Sequence, residues 1–447
     1  MSESNTDLQG EDQQEEDRGK SLPITLEEGV QMLGESVDVD QLAKETGALL
    51  RCRGIQTGMG LLRLVLGYGV LDYSLRMLGI WATVLQITSI SKTALLRRLQ
   101  KCSRWMGKLI VIALERQKLF LPKRVPVRIK LLDATVVCQP GSKGVDWRLH
   151  FGFDVSAGCM DHVEITDGKG AELASRFHCQ PGEIWIGDRA YAITRSLAHF
   201  VFSGAGLVIR TGWNRLAWED ESGKSFDLIG WLKQADLRAE DPGREVAVWV
   251  SSTLGRFSLR LIAKSVPEVV AERARRHVRQ AAKKNHHAVD ERSLFTAGFI
   301  LLLTNLPANH YPLQCVLDLY RFRWQVELAF KRLKSLINLD YLRAKDPQLA
   351  QVYLLSKLLA VILMERIQLY LMTQYPAAFS SLQRPISFWR LNALVWDFLR
   401  SLVRGPISLA NILAAFPALL KYLGDEPRFR QQQLAKARCL FAGFYDC

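Results

Sequence analysis

Hydrophobic residues in the first quarter of the chain recur at the spacing of an α-helix. Two short runs, SLRMLGIWA and SKTALLRRLQ, begin at Ser74 and Ser91, and serine before such a run is typical of a helix N-cap. The pattern predicts a helical region over 26–122, with a helix-turn-helix candidate over 74–101. Two core helices of an unrelated bundle are the alternative. The apolar positions at helical spacing include Leu61, Leu62, Val65, Leu66, Leu71, Leu75 and Leu78.

Alternating apolar and polar residues replace the helical spacing from Val125 onward. The first such run reaches Asp133, and two more follow at 147–155 and 159–166. Short turns between these runs predict three antiparallel strands in sequence. A fourth strand is predicted over 183–188, where it ends at Asp188.

Residues 205–305 have a different texture, which predicts a β-rich insertion within the sheet domain. The strand-like runs GLVIRTGW, EVAVWVSS and RFSLRLIAK precede a basic helix over 268–284 and the apolar strand FILLLTNL. From Pro312 to the end the spacing is helical, with interruptions expected at prolines that include Pro347 and Pro417. The predicted domain plan is an acidic disordered tail (1–25), a helical DNA-binding domain (26–122), the first part of a catalytic core (123–204), an insertion (205–298), the second part of the core (299–345) and a C-terminal helical region with a possible role in dimerisation (346–447).

The composition is that of a globular protein, with 48% hydrophobic and 23% charged residues in 447. No membrane span is expected, because charges such as Arg63 and Lys357 interrupt the longest apolar stretches. The N-terminus is acidic and polar, unlike a secretory signal. Eight cysteines without a CxxC pair fit free thiols in a reducing cytoplasm.

The charge of the chain is divided very unevenly. The whole chain has a net charge of +14, and residues 1–45 have a net charge of −10. The remaining residues therefore have a net charge of +24. A folded body this basic is expected to bind a polyanion, most plausibly nucleic acid. A basic surface that only maintains solubility is the alternative.

Three acids occupy positions suited to metal chemistry: Asp133 late in the first strand, Asp188 at the end of the fourth, and Glu327 in a helix. Convergent carboxylates are the ligands that Mg²⁺ or Mn²⁺ requires, and two such ions about 3.5–4 Å apart promote phosphodiester cleavage. Taken singly, Asp133 also suits a turn, Asp188 a helix N-cap, and Glu327 an ion pair with Lys331. Three further acids compete with Asp133 for the first place: Asp154, Asp161 and Asp167.

The helix around Glu327 favours the metal interpretation. Tyr320, Arg323, Glu327 and Lys334 are offset by 0, 3, 7 and 14 residues, so they lie within an arc of roughly 60° on one helix face. The carboxylate suits a metal ion, and both cations suit phosphates. An exposed, salt-bridged helix face is the alternative.

The spacing Y-x2-R-x3-E-x6-K is the YREK signature of the IS-four family of bacterial insertion-sequence transposases, which this chain resembles. LLDAT at 131–135 resembles the first-acid motif of that family, and IGDRAY at 186–191 resembles the second. WRLHFGFDV at 147–155 and LLLTNLP at 301–307 resemble its strands. The segments ETGALLRCRGI and SLRMLGIWA resemble its N-terminal region.

The resemblance implies an RNase H-like mixed α/β core with a mostly β insertion, flanked by N- and C-terminal helical regions. It implies that Asp133, Asp188 and Glu327 hold two Mg²⁺ ions, for which Mn²⁺ is expected to substitute. Tyr320, Arg323 and Lys334, with Lys331 beside them, would bind the phosphates and flipped base near the element's end. The implied reaction is cut-and-paste transposition, in which cleavage at the element ends precedes attack of the 3′-hydroxyl on target DNA. Terminal inverted repeats imply a homodimer, and the implied setting is the bacterial nucleoid.

Two further pairs of residues are expected to contact DNA. Arg97 and Arg98 lie in the second helix of the helix-turn-helix candidate. Trp213 and Trp218 flank the polar loop at 214–215, and one of them is expected to stack on a flipped base or fill its gap. Two other functions stay open: a stand-alone RNase H-like nuclease, and a DNA-binding transposition inhibitor that lacks catalysis.

Overall fold

The computed structural model describes residues 25–33, 37–119, 127–142, 144–155, 159–234, 243–339, 341–374 and 387–423. They form two compact units. The helical unit draws on residues 1–109, 352–360 and 397–447, and the sheet unit draws on residues 110–351 and 361–396. The predicted acidic tail, apart from its last residue, and the strand start at Val125 lie outside the described residues.

The N-terminal part of the helical unit is a series of short helices, as the apolar spacing predicts. The Ser74 and Ser91 hydroxyls accept hydrogen bonds from Met77 N and Ala94 N, both at 3.2 Å, which confirms the two predicted N-caps. Ser91 caps a helix whose buried side, Leu95 and Leu99, faces the unit's core. The helices are α1 (Leu26–Gln31), α2 (Val39–Glu45), α3 (Gly58–Gly69), α4 (Leu75–Val84), α5 (Lys92–Gln100) and α6 (Ser103–Leu119), which runs on into the sheet unit.

After the last strand and helix α11 (Leu313–Ile337), the described residues form three more helices: α12 (Pro347–Gln374), α13 (Phe388–Arg404) and α14 (Leu409–Leu423). Helix α12 begins at Pro347, a position that proline suits, whereas α14 continues past Pro417. The expected interruption at Pro417 is therefore wrong, because a proline removes one backbone hydrogen bond without removing those of the neighbouring turns.

Helix α12 is long and apolar enough to cross a membrane, yet 78% of its apolar window is buried in the structure, as in the core helix of a soluble protein. Lys357 on this helix is fully buried and lies 3.8 Å from the carboxylate of Asp72, with Nζ 4.7 Å from the ring centre of Tyr353. The Tyr353 hydroxyl donates to the same carboxylate at 2.6 Å. A charge at this point is therefore neutralised within the helical unit.

The described residues form eight strands: β1 (Arg128–Val137), β2 (Trp147–Asp154), β3 (Cys159–Asp167), β4 (Glu183–Gly187), β5 (Gly206–Arg210), β6 (Arg244–Ser252), β7 (Gly255–Ser265) and β8 (Phe299–Thr304). They make one mixed sheet in the order β3-β2-β1-β4-β5-β8-β7-β6. Strand β2 is antiparallel to both β1 and β3, which confirms the three predicted antiparallel strands. Strand β4 is parallel to both β1 and β5, and the order of the first five strands is that of an RNase H-like core.

Alternation along the strands gives the sheet two hydrophobic faces. Leu132 and Trp185 belong to one core with Phe200 of α7 (Thr194–Phe202). Leu131 and Ile186 belong to the other core, together with the first turns of α11 (Leu313–Ile337). Helix α11 is therefore held against the face to which the odd-numbered residues of β1 point.

The segment predicted as an insertion contributes strands to this same sheet. Strand β5 lies directly beside β4, so the chain departs from the core only after Arg210. Strands β6 and β7 then extend the sheet through β8, which pairs with β5. The three central residues of β5, Leu207, Val208 and Ile209, are apolar and buried, so the strand needs cover on both sides, which explains its central place. The helices of this segment are α8 (Leu228–Lys233), α9 (Glu268–Lys284) and α10 (Glu291–Thr296).

Candidate active site beside strands β1 and β4

Two of the predicted acids lie just beyond the point where the pairing of two neighbouring parallel strands ends, Asp133 in the middle of β1 and Asp188 directly after β4. Leu131 of β1 pairs with Ile186 of β4, and Asp133 and Asp188 each lie two residues further along. Two residues along a strand restore the same side of the sheet, so the two acids follow the same path from this pair. The Oδ1 atom of Asp188 accepts a hydrogen bond from Ala190 N at 2.9 Å and so caps the short 3-10 turn 189–191.

Helix α11 brings two of its predicted cations to these acids. The Nη2 atom of Arg323 lies 3.9 Å from Oδ2 of Asp188. Burial raises the pKa of Asp133, the positive charges of Lys334 and Arg323 oppose that rise, and the negative charge of Asp188 adds to it. Asp133 therefore has both cations and the second acid as close electrostatic neighbours.

The backbone of Glu327 belongs to the same helix, between Arg323 and Lys334, but the structure does not describe its side chain. The same holds for the side chain of Lys331. The convergence of Glu327 on Asp133 and Asp188 therefore stays a prediction. Tyr320 is described: burial raises the pKa of its hydroxyl, while the nearby charges of Arg323 and Arg210 lower it.

The acids that compete with Asp133 lie elsewhere on the sheet. Asp154 pairs with Lys130, three positions before Asp133 on β1. Asp161 forms a buried ion pair with Lys130, whose Nζ lies 2.7 Å from its Oδ2 atom. Asp167 ends β3 opposite Trp147 and is exposed. These positions favour Asp133 as the acid that partners Asp188.

A cavity of about 950 Å³ opens beside Asp188 within the sheet unit. Its lining is strongly basic, and Arg189, Arg210 and Arg215 join Arg323 there. Burial, with the neighbouring charge of Arg210, holds the pKa of Arg189 below its usual range. Several guanidinium groups in one half-buried cavity are suited to bind phosphate oxygens.

The two tryptophans predicted to contact DNA differ in position. Trp213 lines the cavity, its Nε1 donates to the Ser293 hydroxyl at 3.0 Å, and the guanidinium of Arg292 lies 4.3 Å from its ring centre. Trp218 is only 6% exposed and belongs to the core of the sheet unit, where its Nε1 donates to Trp213 O at 2.9 Å. Burial argues against a DNA contact by Trp218, because the side chain is already part of the hydrophobic core.

The two arginines of the helix-turn-helix candidate also differ. Arg97 is exposed, whereas Arg98 is half-buried and donates to the carbonyls of Ala48 at 3.4 Å and Arg51 at 3.1 Å. Arg98 therefore joins the loop after α2 to helix α5. Of the two, Arg97 has the side chain available for a partner.

Sequence patterns missed two residues close to Asp133 or Asp188. Arg210 ends β5 and lines the cavity, and Glu172 lies between β3 and β4. The pKa of Glu172 is raised by burial and then by the charges of Asp188 and Asp133. No spacing rule points to either residue. Their positions near the site depend on how distant segments of the chain pack together, which a helical or strand period does not show.

The described side chains at this site have the oxygen donors that a hard divalent cation prefers, but they do not form a complete set of ligands. Among them, no group of three or more histidine, cysteine, aspartate or glutamate residues is arranged to hold a metal ion. The donors that meet here are carboxylate oxygens, which Mg²⁺ and Mn²⁺ prefer. The buried hydroxyl of Tyr191 beside them has no hydrogen-bond partner among the described residues. Such an orphaned group fits a site that is completed by bound ions and water.

Comparison with known proteins places this arrangement in a family. Residues 128–363, from the start of β1 into α12, match the family described as the transposase DDE domain. The chain belongs to the DDE transposase family. It is therefore a DNA transposase, and the region that carries Asp133, Asp188 and Glu327 is the part that matches.

The relatives of this transposase are insertion-sequence proteins. It is 36% identical over 344 residues to the putative transposase InsL for insertion sequence element IS186A of Escherichia coli (strain K12), covering 75% of this chain and 91% of that protein. It is 36% identical over 345 residues, with the same coverage, to the transposase for insertion sequence element IS421 of Escherichia coli. The IS231F transposase of Bacillus thuringiensis subsp. israelensis is 23% identical over 265 residues, or 53% of this chain and 55% of that protein. These relatives confirm the resemblance to IS-four transposases.

Proposed function

We propose that this transposase moves its element by cut-and-paste transposition, with Asp133, Asp188 and Glu327 holding two Mg²⁺ ions. Transposases of this family generally use divalent metal ions, and Mn²⁺ is expected to substitute for Mg²⁺ here. The observation that carries the proposal is the meeting of Asp133 and Asp188 with Arg323 and Lys334. When bound, the ions would activate the attacking oxygen and stabilise the leaving oxygen.

The protein side chains around the acids then position the DNA. Arg323 and Lys334 bind phosphates at the scissile position, where their charges are already directed at the acids. Cleavage breaks a phosphodiester bond at each end of the element and leaves a 3′-hydroxyl. That hydroxyl attacks a phosphodiester of target DNA, so that one P–O bond forms as another breaks. Tyr320 and Lys331 complete the set of DNA contacts on the helix.

The basic cavity receives the nucleotide next to the cleaved bond. Arg189, Arg210 and Arg215 supply cations for its phosphate, and Trp213 supplies an aromatic surface at the cavity wall. Stacking on an aromatic ring offsets part of the free energy of unstacking a base, which is a few kcal/mol. Trp213 is preferred to Trp218 for this contact because of the burial of Trp218.

The remaining expectations concern assembly and end recognition. Two inverted element ends require two active sites, so a homodimer is proposed for the complex with DNA. Helices α4 and α5 are proposed to recognise the terminal repeat through Arg97, as part of a helical DNA-binding domain over 26–122. The proposed location is the bacterial cytoplasm, at the nucleoid, where the DNA substrates of an insertion-sequence transposase lie.

The proposal is tested by cleavage and strand transfer of labelled oligonucleotides that carry the element ends. Asp133→Asn, Asp188→Asn and Glu327→Gln should each abolish cleavage while end binding stays within a few-fold of wild type. Asp167→Asn, at the exposed end of β3, is the matched control and should cleave normally. Cleavage by any one of the three active-site variants at the wild-type rate would remove that residue from the site. Cleavage without strand transfer would favour a nuclease, and binding without cleavage in any metal would favour an inhibitor.

A further inference from the structure

Helix α9 (Glu268–Lys284) forms part of the wall of the cavity that opens beside Asp188. Ala271, on the side of the helix that faces the sheet unit, is buried. The residues of α9 that line the cavity follow on that side and beside it: Ala274, His277, Val278 and Ala281. The helix therefore brings its own side chains to the edge of the basic cavity.

The acids of α9 neutralise only some of its cations. The helix contains six arginine and lysine residues and two glutamates. Glu268 and Glu272 both pair with Arg275, and Glu272 also pairs with Arg279 at 2.9 Å. The other four cations are exposed and make no ion pair or hydrogen bond with another described residue: Arg273, Arg276, Lys283 and Lys284. Cations that the chain does not neutralise itself are available to an anionic partner.

Two of these four cations lie on the side of α9 next to the cavity. At about 100° per residue, Arg273 and Lys284 lie about 40° and 20° around the helix from His277, which itself lines the cavity. Arg276 and Lys283 lie about 100° and 120° from His277 in the same direction. The other cavity-lining residues of α9 lie on the opposite side of His277, so Arg276 and Lys283 are farther from the cavity.

We propose that Arg273 and Lys284, with His277 between them, form a stripe that binds phosphates of the element-end DNA. The stripe spans 11 residues of helix, or about 16 Å. One strand of duplex DNA has a phosphate for about every 3.4 Å of its axis, so the stripe reaches several phosphates. Such contacts fix the register and orientation of the DNA without reading its sequence. The stripe therefore holds the cleaved end in place.

The cavity determines which DNA the stripe binds. His277 lines the same cavity as Arg189, Arg210 and Arg215, which are proposed to hold the nucleotide next to the cleaved bond. A strand that leaves this cavity past His277 meets Arg273 and Lys284 next. The partner is therefore the end of the element rather than the target. The inference deepens the proposed function and rests on it, because it takes the cavity as the place of that nucleotide.

The test compares two double variants of the full-length protein, each of which loses one exposed arginine and one exposed lysine from α9. Arg273→Ala with Lys284→Ala removes the cations of the stripe, and Arg276→Ala with Lys283→Ala is the matched control. Fluorescence anisotropy measures binding to an element-end duplex across a salt series. The stripe variant should lower the log–log slope by roughly two, one per lost phosphate contact, and the control should keep the wild-type slope. An equal loss in both variants, a loss in the control alone or no loss in either would overturn the inference.

A neutral methylphosphonate in place of single phosphates locates the contact on the DNA. Substitution of the phosphates next to the cleaved bond should weaken binding by the wild type. The same substitution should weaken binding by the stripe variant less, because the partners of those phosphates are already absent. Equal effects in the two proteins at every phosphate near the cleaved bond would show that the stripe does not contact them, and would overturn the inference.

Two further measurements separate the possible failures. Normal end binding by the stripe variant, with reduced capture of target DNA by ends that are already cleaved, would assign the stripe to target DNA and overturn the inference. Cleavage of element ends by the wild type tests the proposed function itself. Wild-type cleavage with an unchanged salt slope in the stripe variant would overturn the inference alone. No cleavage by the wild type with any divalent ion would overturn the proposed function and this inference with it.

Discussion

The guanidinium of Arg323 lies 3.9 Å from the carboxylate of Asp188, measured from Nη2 to Oδ2. One residue comes from the helix that covers the sheet, and the other follows the strand next to β1. The pair therefore connects the face of α11 that carries Arg323 and Lys334 to the acid that follows β4. Its length exceeds that of a hydrogen bond, so the contact is an ion pair only.

Arg323→Ala and Lys334→Ala should weaken binding to the element end and flatten its dependence on salt. Each lost phosphate contact lowers the log–log slope by roughly one. Binding is measured by fluorescence anisotropy across a salt series. Arg321→Ala is the control on the same helix, since Arg321 is 75% exposed and paired with Asp318. An unchanged slope with lost cleavage would assign the two residues to the chemical step instead.

Arg97→Ala and Arg98→Ala should have separate effects. Arg97 is exposed, so its loss should reduce the preference for the terminal repeat over random duplex while the melting temperature is kept. Arg98 holds two backbone carbonyls, so its loss should lower the free energy of unfolding by about 1–2 kcal/mol. Competition binding and thermal melting of the full-length chain measure the two. Equal repeat selectivity in wild type and Arg97→Ala would demote α5 to a packing helix.

Trp213→Ala should suppress base unstacking at the cleaved end without unfolding the protein. Trp218→Ala should instead destabilise the sheet unit by about 3–5 kcal/mol, because a buried ring is removed from the core. A fluorescent base analogue at the terminal position reports unstacking, and denaturant melts report stability. Normal unstacking by Trp213→Ala would place the stacking group elsewhere.

His150 should make the protein less stable as the pH falls. Burial, followed by the charge of Arg176, lowers the pKa of His150 to about 4, and its Nε2 lies 3.0 Å from the Thr166 hydroxyl. Between about pH 6.5 and 4 the unfolded chain binds a proton at this histidine that the folded chain does not. The stability present above about pH 6.5 is therefore lost as the pH falls towards 4.

The measurement compares melting temperatures of wild type and His150→Gln at pH 7 and pH 5. The variant should lose less stability than wild type between these values. The comparison isolates His150, because the carboxylates of the protein titrate in both chains. His310→Gln, an exposed substitution, should melt as wild type does at both pH values. A parallel decline in wild type and His150→Gln would show that this histidine contributes nothing to the pH dependence.

Local sequence rules predict those parts of the molecule that depend on neighbours along the chain. The N-caps at Ser74 and Ser91 depend on residues three positions away, and the basic helix α9 has the predicted ends. The helical period also predicts that Arg323 and Lys334 share a face, and the structure brings both to Asp133. Each of these features is set within one element, so its pattern is visible in the sequence.

Features that depend on how separate helices, strands and connections pack together are not predictable from local sequence rules. Trp213 and Trp218 lie only five residues apart, and the packing of the sheet unit decides which one lines the cavity and which one belongs to the core. Glu172 comes from a connection without any period. The change of texture at residue 205 predicts that strand β5 belongs to the insertion, yet its pairing with β4 puts it in the central sheet. Pairing between distant segments leaves no mark in local spacing.

The hydrogen bond from Ala190 N to Asp188 has a practical consequence for capturing this transposase on DNA. An alanine at position 188 would remove both the acid and the cap of the turn that carries Arg189 and Tyr191. Loss of a cap of this kind costs about 1 kcal/mol in helices. Asparagine keeps an oxygen at the position of Oδ1, so the turn and the cavity wall beside it stay in place. Asp188→Asn is accordingly the better starting protein for crystallising an arrested complex with uncut element ends.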